Sequence, residues 1–349
     1  MERSKQIALG TTAEQMKAMY FNATQLKEVN YRLYQLNSRG ERYYYTFDEN
    51  DEPIFFPSVT TILHKVAPEN KILTEWKLSL GKEQSEAYTA ERAAYGTFLH
   101  GHLEKLIIAR AIDLDTIKDE LALYAESHKL TESFAENHIE EAKADIVAFA
   151  KWIKDYDVRP YAVEISLYSP SMGCAGMVDL VANLREYSID EERKALEKAK
   201  NNAELASEIH ERYSNRIDAI IDFKSGKKGF YESYEIQLEI YRRMWNEQFP
   251  DTPIERIFNI APKNWLGTVK KVPSYTFEEQ TGKPSALKIE PLLNLYALEE
   301  EKERKIVSIS GMLSLDRENT NVQIFNLADL VKEHRTEVDE VAEANEEEF

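Results

Sequence analysis

Two residues apart in the segment AIIDFKS, Asp222 and Lys224 place a carboxylate and an ammonium on a short, otherwise apolar stretch of chain. In a β-strand alternate side chains share a face, so this pair points one way while Ile221 and Phe223 point into the opposite, apolar layer. A carboxylate fixed there can hold a hard divalent cation. The amine beside it can orient or help deprotonate an attacking water and offset charge in the transition state. The competing reading is a surface salt pair. The same acid-x-Lys spacing recurs at Glu69/Lys71, Glu75/Lys77, Glu141/Lys143, Glu192/Lys194 and Glu303/Lys305, none of them in an apolar strand. On a helix residues two apart do not face each other, so those pairs are expected on a solvated surface.

A second carboxylate strengthens the case. In GMVDLVAN, Asp179 sits among Val178, Leu180 and Val181, where an unpaired charge is costly to bury unless something binds it. Neighbouring strands lie about 4.8 Å apart, so Asp179 and Asp222 can share one ion if their registers match. The alternative is an aspartate at a strand end satisfied by backbone amides. In YGTFLHGHLEKL, His100 and Glu104 are one helical turn apart, with Gly96 and Thr97 about a turn earlier. Gly96 and Gly101 each cost a helix about 1 kcal/mol relative to alanine, which implies a close approach to that face. A neutral imidazole at His100 can complete a metal shell or be merely structural, and His102, two positions on, shares that ambiguity. Gln237 and Tyr241, four apart in the helical SYEIQLEIYRRMWNEQ, present an amide and a phenol on one face, able to hold a metal shell or a phosphate.

The elements that carry these residues follow from periodicity. Residues 28–62 alternate aromatic and polar positions around turn signals and predict a β-meander that runs on through IFFPSVTTIL. Helical patterns span Thr74–Ala111 and Asp115–Tyr156. YAVEISLYS, CAGMVDLVANL and IDAIIDFKS are strand-like, IERIFNIAP is a further core strand, and proline makes TVKKVPSYTF an edge strand. The charged segment Ser188–Arg216 predicts a projecting helical arm. The fold class is therefore α/β: a central mixed sheet flanked by helices, with an N-terminal meander and a helical insertion. The expected organisation is an N-terminal helix and meander over 1–56, a core over 57–275 with its arm at 188–216, an extension over 276–336 and an acidic disordered tail over 337–349.

With 43 % hydrophobic residues, the 349-residue chain has material for one large core with appendages. Its single cysteine, Cys174, can form no internal disulfide and no four-cysteine metal site, and a reducing, cytoplasmic location is expected. No signal-peptide run and no stretch of about 18 apolar residues is present, so no membrane partner is expected. A net charge of −18 argues against a broadly basic nucleic-acid surface but not against a local groove around an acidic metal site. No Walker A motif appears, which argues against an ATP-driven motor.

In chain order, G-T-x-x-H-x-x-x-E at Gly96–Glu104, Val163/Glu164, G-M-V-D at Gly176–Asp179, I-I-D-F-K-S-G at Ile220–Gly226 and Q-x-x-x-Y at Gln237–Tyr241 resemble the signature of RecB-like nucleases of the PD-(D/E)XK superfamily. PSVTTIL at Pro57–Leu63, followed by Trp76, makes the chain most similar to the mitochondrial genome maintenance exonucleases and their phage and bacterial relatives. The resemblance covers roughly residues 57–262. It implies a restriction-endonuclease-like core, a bacterial or phage-infected cell, and metal-dependent exonucleolytic hydrolysis of DNA, with single-stranded ends preferred, in replication, recombination or repair.

Residue by residue, the resemblance implies His100, Asp179, Asp222 and the Phe223 carbonyl as ligands of Mg²⁺ or Mn²⁺, and Lys224 as the catalytic lysine. Glu164 would assist as an outer acidic group, Gln237 and Tyr241 would support the site or contact the DNA backbone, and Ser58 and Thr60 would contact phosphates. The chain departs from the pattern in three places. Val178 rather than proline precedes Asp179, the iron–sulfur branch's four cysteines are absent, and the 29-residue arm lengthens the connection between the two aspartate strands. The alternative function is a catalytically inactive nuclease-fold module that binds DNA or a replication or recombination protein.

Overall fold

The computed structural model describes residues 33–38, 40–50, 52–68, 70–131, 133–199, 202–225, 230–263 and 273–300. The expected N-terminal helix, most of the extension and the acidic tail lie outside them. Two sheets organise the chain. The first is antiparallel, β1 (Tyr34–Ser38), β2 (Glu41–Phe47) and β3 (Pro53–Pro57) in that order. The second has five strands in chain order, β4 (Arg159–Ser169), β5 (Cys174–Arg185), β6 (Arg216–Phe223), β7 (Arg256–Pro262) and β8 (Tyr275–Glu279). All its pairings are antiparallel except β6 with β7, so the α/β class and the mixed central sheet are as the sequence predicts.

Eight helices are bounded within the described residues: α1 (Val59–Val66), α2 (Lys71–Leu80), α3 (Lys82–Ala109), α4 (Ile117–Ser127), α5 (Ser133–Asp155), α6 (Ile189–Lys198), α7 (Ala203–Tyr213) and α8 (Glu232–Gln248). One sheet face packs on α3, α4 and α5 through Leu180, Ile221, Phe223 and Ile260; the other packs on α1 and α8 through Ile165, Val181, Ile220 and Ile257. The alternation in AIIDF therefore sorts as expected, with Ile221 and Phe223 on the α3/α5 side. Phe223 wedges edge-on between Phe149 at 5.6 Å and Trp152 at 6.3 Å, and burying such a ring contributes about 1.5–3 kcal/mol toward fixing this strand end. The parallel step from β6 to β7 requires a crossover, and α8 supplies it.

Several boundaries differ from the periodicity reading. The meander stops at Pro57, and VTTIL is helical: Ser58 caps α1 by accepting from the Thr61 amide at 2.9 Å, and that cap overrides the β-branched composition. The first long helical pattern is broken at Gly81, whose φ of 80° ends α2 and starts α3. The second breaks after Ser127, with Lys129 at a φ of 53°. The arm is a pair of helices, α6 and α7, set into the β5–β6 connection. Two of the acid-x-Lys pairs expected on a solvated surface have buried acids. Glu141 accepts from Arg92, and Glu192 pairs with Arg185. No helix among the described residues is long and apolar enough to cross a membrane. Cys174 is buried, and burial pushes its thiol up to about 12, which leaves it inert.

Candidate active site

The sheet register brings the predicted acids together. Leu180 pairs with Ile221, so one step on Asp179 stands opposite Asp222 on the neighbouring strand. On the other side of β5, Glu164 falls between the pairs Val163–Leu180 and Ile165–Val178 and so lies opposite Asp179. Asp222 in turn pairs with Asn259 on β7. A polar row thus crosses four strands of the sheet.

Hydrogen bonds decide which oxygens of this row remain open. Asp179 accepts the Phe223 amide on Oδ2 at 2.7 Å, which leaves Oδ1 facing His100 Nδ1 at 3.6 Å. Asp222, with a side chain only 4 % exposed, takes both of its donors on Oδ2: Lys224 Nζ at 2.7 Å and Asn259 Nδ2 at 2.8 Å. Lys224 also donates to Gln237 Oε1 at 3.3 Å and lies 4.3 Å over the Tyr234 ring, and Gln237 donates to the Tyr241 hydroxyl at 3.0 Å. Lys224 follows the last strand residue, Phe223, and its own amide continues the ladder by donating to the Ile260 carbonyl at 2.8 Å. Gly176 makes the Tyr241 position possible, because a Cβ there would lie 2.6 Å from Tyr241 Cε1.

Burial pushes the Asp179 carboxyl up to about 6; His100 and Lys224 oppose the rise and the facing Asp222 adds to it. Burial alone would lower the Lys224 ammonium, but the Asp222 and Asp179 carboxylates outweigh it and hold the lysine above its ordinary value. Burial also raises the Tyr241 phenol well above its usual range, so it remains a neutral hydrogen-bonding group.

Seven of the predicted side chains or backbone groups meet here: His100, Asp179, Asp222, Phe223, Lys224, Gln237 and Tyr241. Glu164 shares their register but is half-buried in the left-handed region at φ 47°, where its charge acts on the Tyr44 hydroxyl of the smaller sheet. Among the described residues no three His, Cys, Asp or Glu side chains close around one point as a complete metal cage. Ser58 is buried and occupied as the α1 cap, bonded also to Thr60 and Thr61, while Thr60 is exposed. The His102 ambiguity resolves as structural: its ring sits between the Phe98 carbonyl and Glu120, each at 2.9 Å.

Asn259 was not expected in the site. It is fully buried, holds Asp222, and its Oδ1 has no hydrogen-bond partner among the described residues. Its one sequence signal is an amide in the apolar strand IFNIA. No protein-family model and no curated protein matches the chain.

Proposed function

We propose that the chain is a metal-dependent deoxyribonuclease of the RecB-like PD-(D/E)XK kind, with a restriction-endonuclease-like core, hydrolysing phosphodiester bonds from single-stranded DNA ends. The observation that carries this reading is the register that sets Asp179 against Asp222 with Lys224 bonded to the second carboxylate. Two facing carboxylates repel unless a proton or cation intervenes; Lys224 answers Asp222, while burial first and the facing Asp222 second raise the Asp179 acid, so a cation beside Asp179 would be favoured. Their Oδ1 atoms are hard oxygen donors, and one imidazole stands beside them, a donor set that suits Mg²⁺ or Mn²⁺. Asp179, Asp222, His100 and the Phe223 carbonyl would hold the ion, with water and phosphate oxygens filling the remaining positions. When bound, the ion supplies Lewis-acid polarisation of the phosphate and a more acidic water.

The chain's own residues supply the rest. Asn259 fixes the Asp222 carboxylate in one orientation, and the Phe223 amide does the same for Asp179. Gln237, itself braced by Tyr241, holds the Lys224 ammonium beside Asp222, where it can orient the attacking water and offset charge on the pentavalent phosphorus. Exposed Thr60, at the start of α1, is the phosphate contact left available by the capping role of Ser58. The partner is DNA without sequence preference, since backbone contacts carry no base code. A replication or recombination protein is a further candidate partner, and the cytoplasm the expected compartment.

The test is incubation of end-labelled single-stranded DNA, linear and circular, with Mg²⁺, Mn²⁺ or excess EDTA. Release of short products from linear strands, abolished by EDTA and absent with circles, is expected. Undiminished cleavage in EDTA would remove the metal assignment, and no cleavage with either ion would remove the enzyme assignment.

A further inference from the structure

Beyond Phe223 the β6 strand ends, yet Lys224 must be held more tightly than a loop residue for its ammonium to stay on Asp222. Three residues of α3 spaced four apart line up on this strand end. His100 faces Asp179 and lies 5.9 Å from the Phe223 ring, Gly96 leaves room for Ser225, whose Oγ would be 3.2 Å from an added Cβ, and Arg92 donates through Nη2 to the Ser225 carbonyl at 3.1 Å. With the Lys224 amide bonded to Ile260, this last bond fastens the backbone on both sides of the Lys224 side chain.

Arg92 is itself held from several directions. Its Nη1 contacts both oxygens of buried Glu141, at 3.0 and 2.9 Å, and its guanidinium lies 4.5 Å over the Tyr95 ring. His138 approaches the same Glu141 at 3.2 Å and reaches Glu91 at 2.9 Å, and Tyr95 donates to Asp145 at 2.7 Å. The network ties α3 to α5, and Arg92 carries it to the active-site strand. A planar guanidinium is suited to this, because its fork bonds a carboxylate on one side and a carbonyl on another at once.

We infer that Arg92, braced by Glu141, is a positioning residue that fixes the Lys224–Ser225 backbone and so keeps the Lys224 ammonium on Asp222. The inference rests on the nuclease reading for its catalytic consequence, but the clamp itself can be tested without cleavage.

Lys224 acetylation by a water-soluble reagent, followed by mass spectrometry, reads the hold directly. Arg92→Ala and Arg92→Lys are compared with wild type at matched folded fractions. A charged hydrogen bond of this kind is worth about tenfold in the population of the held state, so Lys224 acetylation should rise about tenfold in Arg92→Ala. The rise should be smaller in Arg92→Lys, which keeps the charge but not the fork. Gly96→Ala, which crowds Ser225 from the same helix face without touching the ion network, should raise it in a protein of normal stability. In cleavage assays the Arg92 variants should lose kcat with an unchanged KM for DNA and unchanged Mn²⁺ affinity. Unchanged Lys224 acetylation in Arg92→Ala and Gly96→Ala would overturn the clamp. An inactive wild type with the acetylation pattern intact would instead sink the nuclease reading and leave the clamp standing.

Discussion

Replacing Lys224 by methionine keeps most of the side-chain volume and removes the charge that neutralises Asp222. The Asp222 side chain is 4 % exposed, and its remaining donor is Asn259. Removing one member of a buried pair costs about 3–5 kcal/mol, and the surviving Asn259 bond places the loss near the lower end, about 3 kcal/mol. For a core of this size that lowers the melting temperature by about 6–12 °C. A divalent cation should reverse it. At a concentration about 100-fold above its dissociation constant a bound ion returns about 2.7 kcal/mol, because it supplies the positive charge that Asp222 lost. In wild type Lys224 already neutralises Asp222 through Oδ2, and its charge repels an ion on the open Oδ1, so the ion's stabilisation should be smaller. Asp222→Asn should lose the ion response altogether. Thermal melts of the three proteins across a Mn²⁺ titration measure this directly. Equal metal-induced shifts in all three would show that no ion binds at Asp222 and would refute the reasoning.

Metal affinity should fall with acid, because binding requires an ionised Asp179 whose carboxyl burial holds near about 6. Calorimetric titrations should show a loss of Mn²⁺ affinity of at least about tenfold for each pH unit below that value, since the His100 ligand must also be unprotonated, and a flat profile between pH 7.5 and 5 would contradict it. The sign for the metal-free protein is opposite. A carboxyl raised above its unfolded value gives stability that is fully present below the unfolded value of about 4 and is lost as pH rises through about 6, so metal-free melts should improve on mild acidification by this group's share. Gly176→Ala should displace the Tyr241 ring at a cost of about 1–3 kcal/mol, read in chemical denaturation, and should slow cleavage through Gln237 and Lys224 while sparing metal affinity. Lys194→Ala, at an exposed position on α6, should leave both stability and cleavage unchanged in the same assays.

The parts of the site that share an element were legible from sequence because one period governs each. Alternation in AIIDF set Asp222 apart from Ile221 and Phe223, and the four-residue spacing put Gln237 and Tyr241 on one face of α8. The pairing of Asp179 with Asp222 needed a register that only the folded sheet fixes. Asn259 was hidden because an isolated amide in IFNIA reads as part of a core strand until Asp222 is found beside it. Glu141 was misread as solvated because its partner Arg92 is 49 positions away on another helix, and no local pattern encodes that contact. In PSVTTIL the β-branched residues suggest a strand, whereas in the molecule the Ser58 hydroxyl accepting from the Thr61 amide starts a helix.

The most direct test of the central claim is the single-turnover cleavage rate of end-labelled single-stranded DNA at saturating Mn²⁺, measured for wild type and Lys224→Met side by side. The expected result is metal-dependent cleavage by wild type and a loss of about 10²–10⁴-fold in Lys224→Met, although that variant binds the ion at least as tightly. Cleavage by Lys224→Met at the wild-type rate would contradict the assignment of Lys224 and with it the placement of the active site at the end of β6.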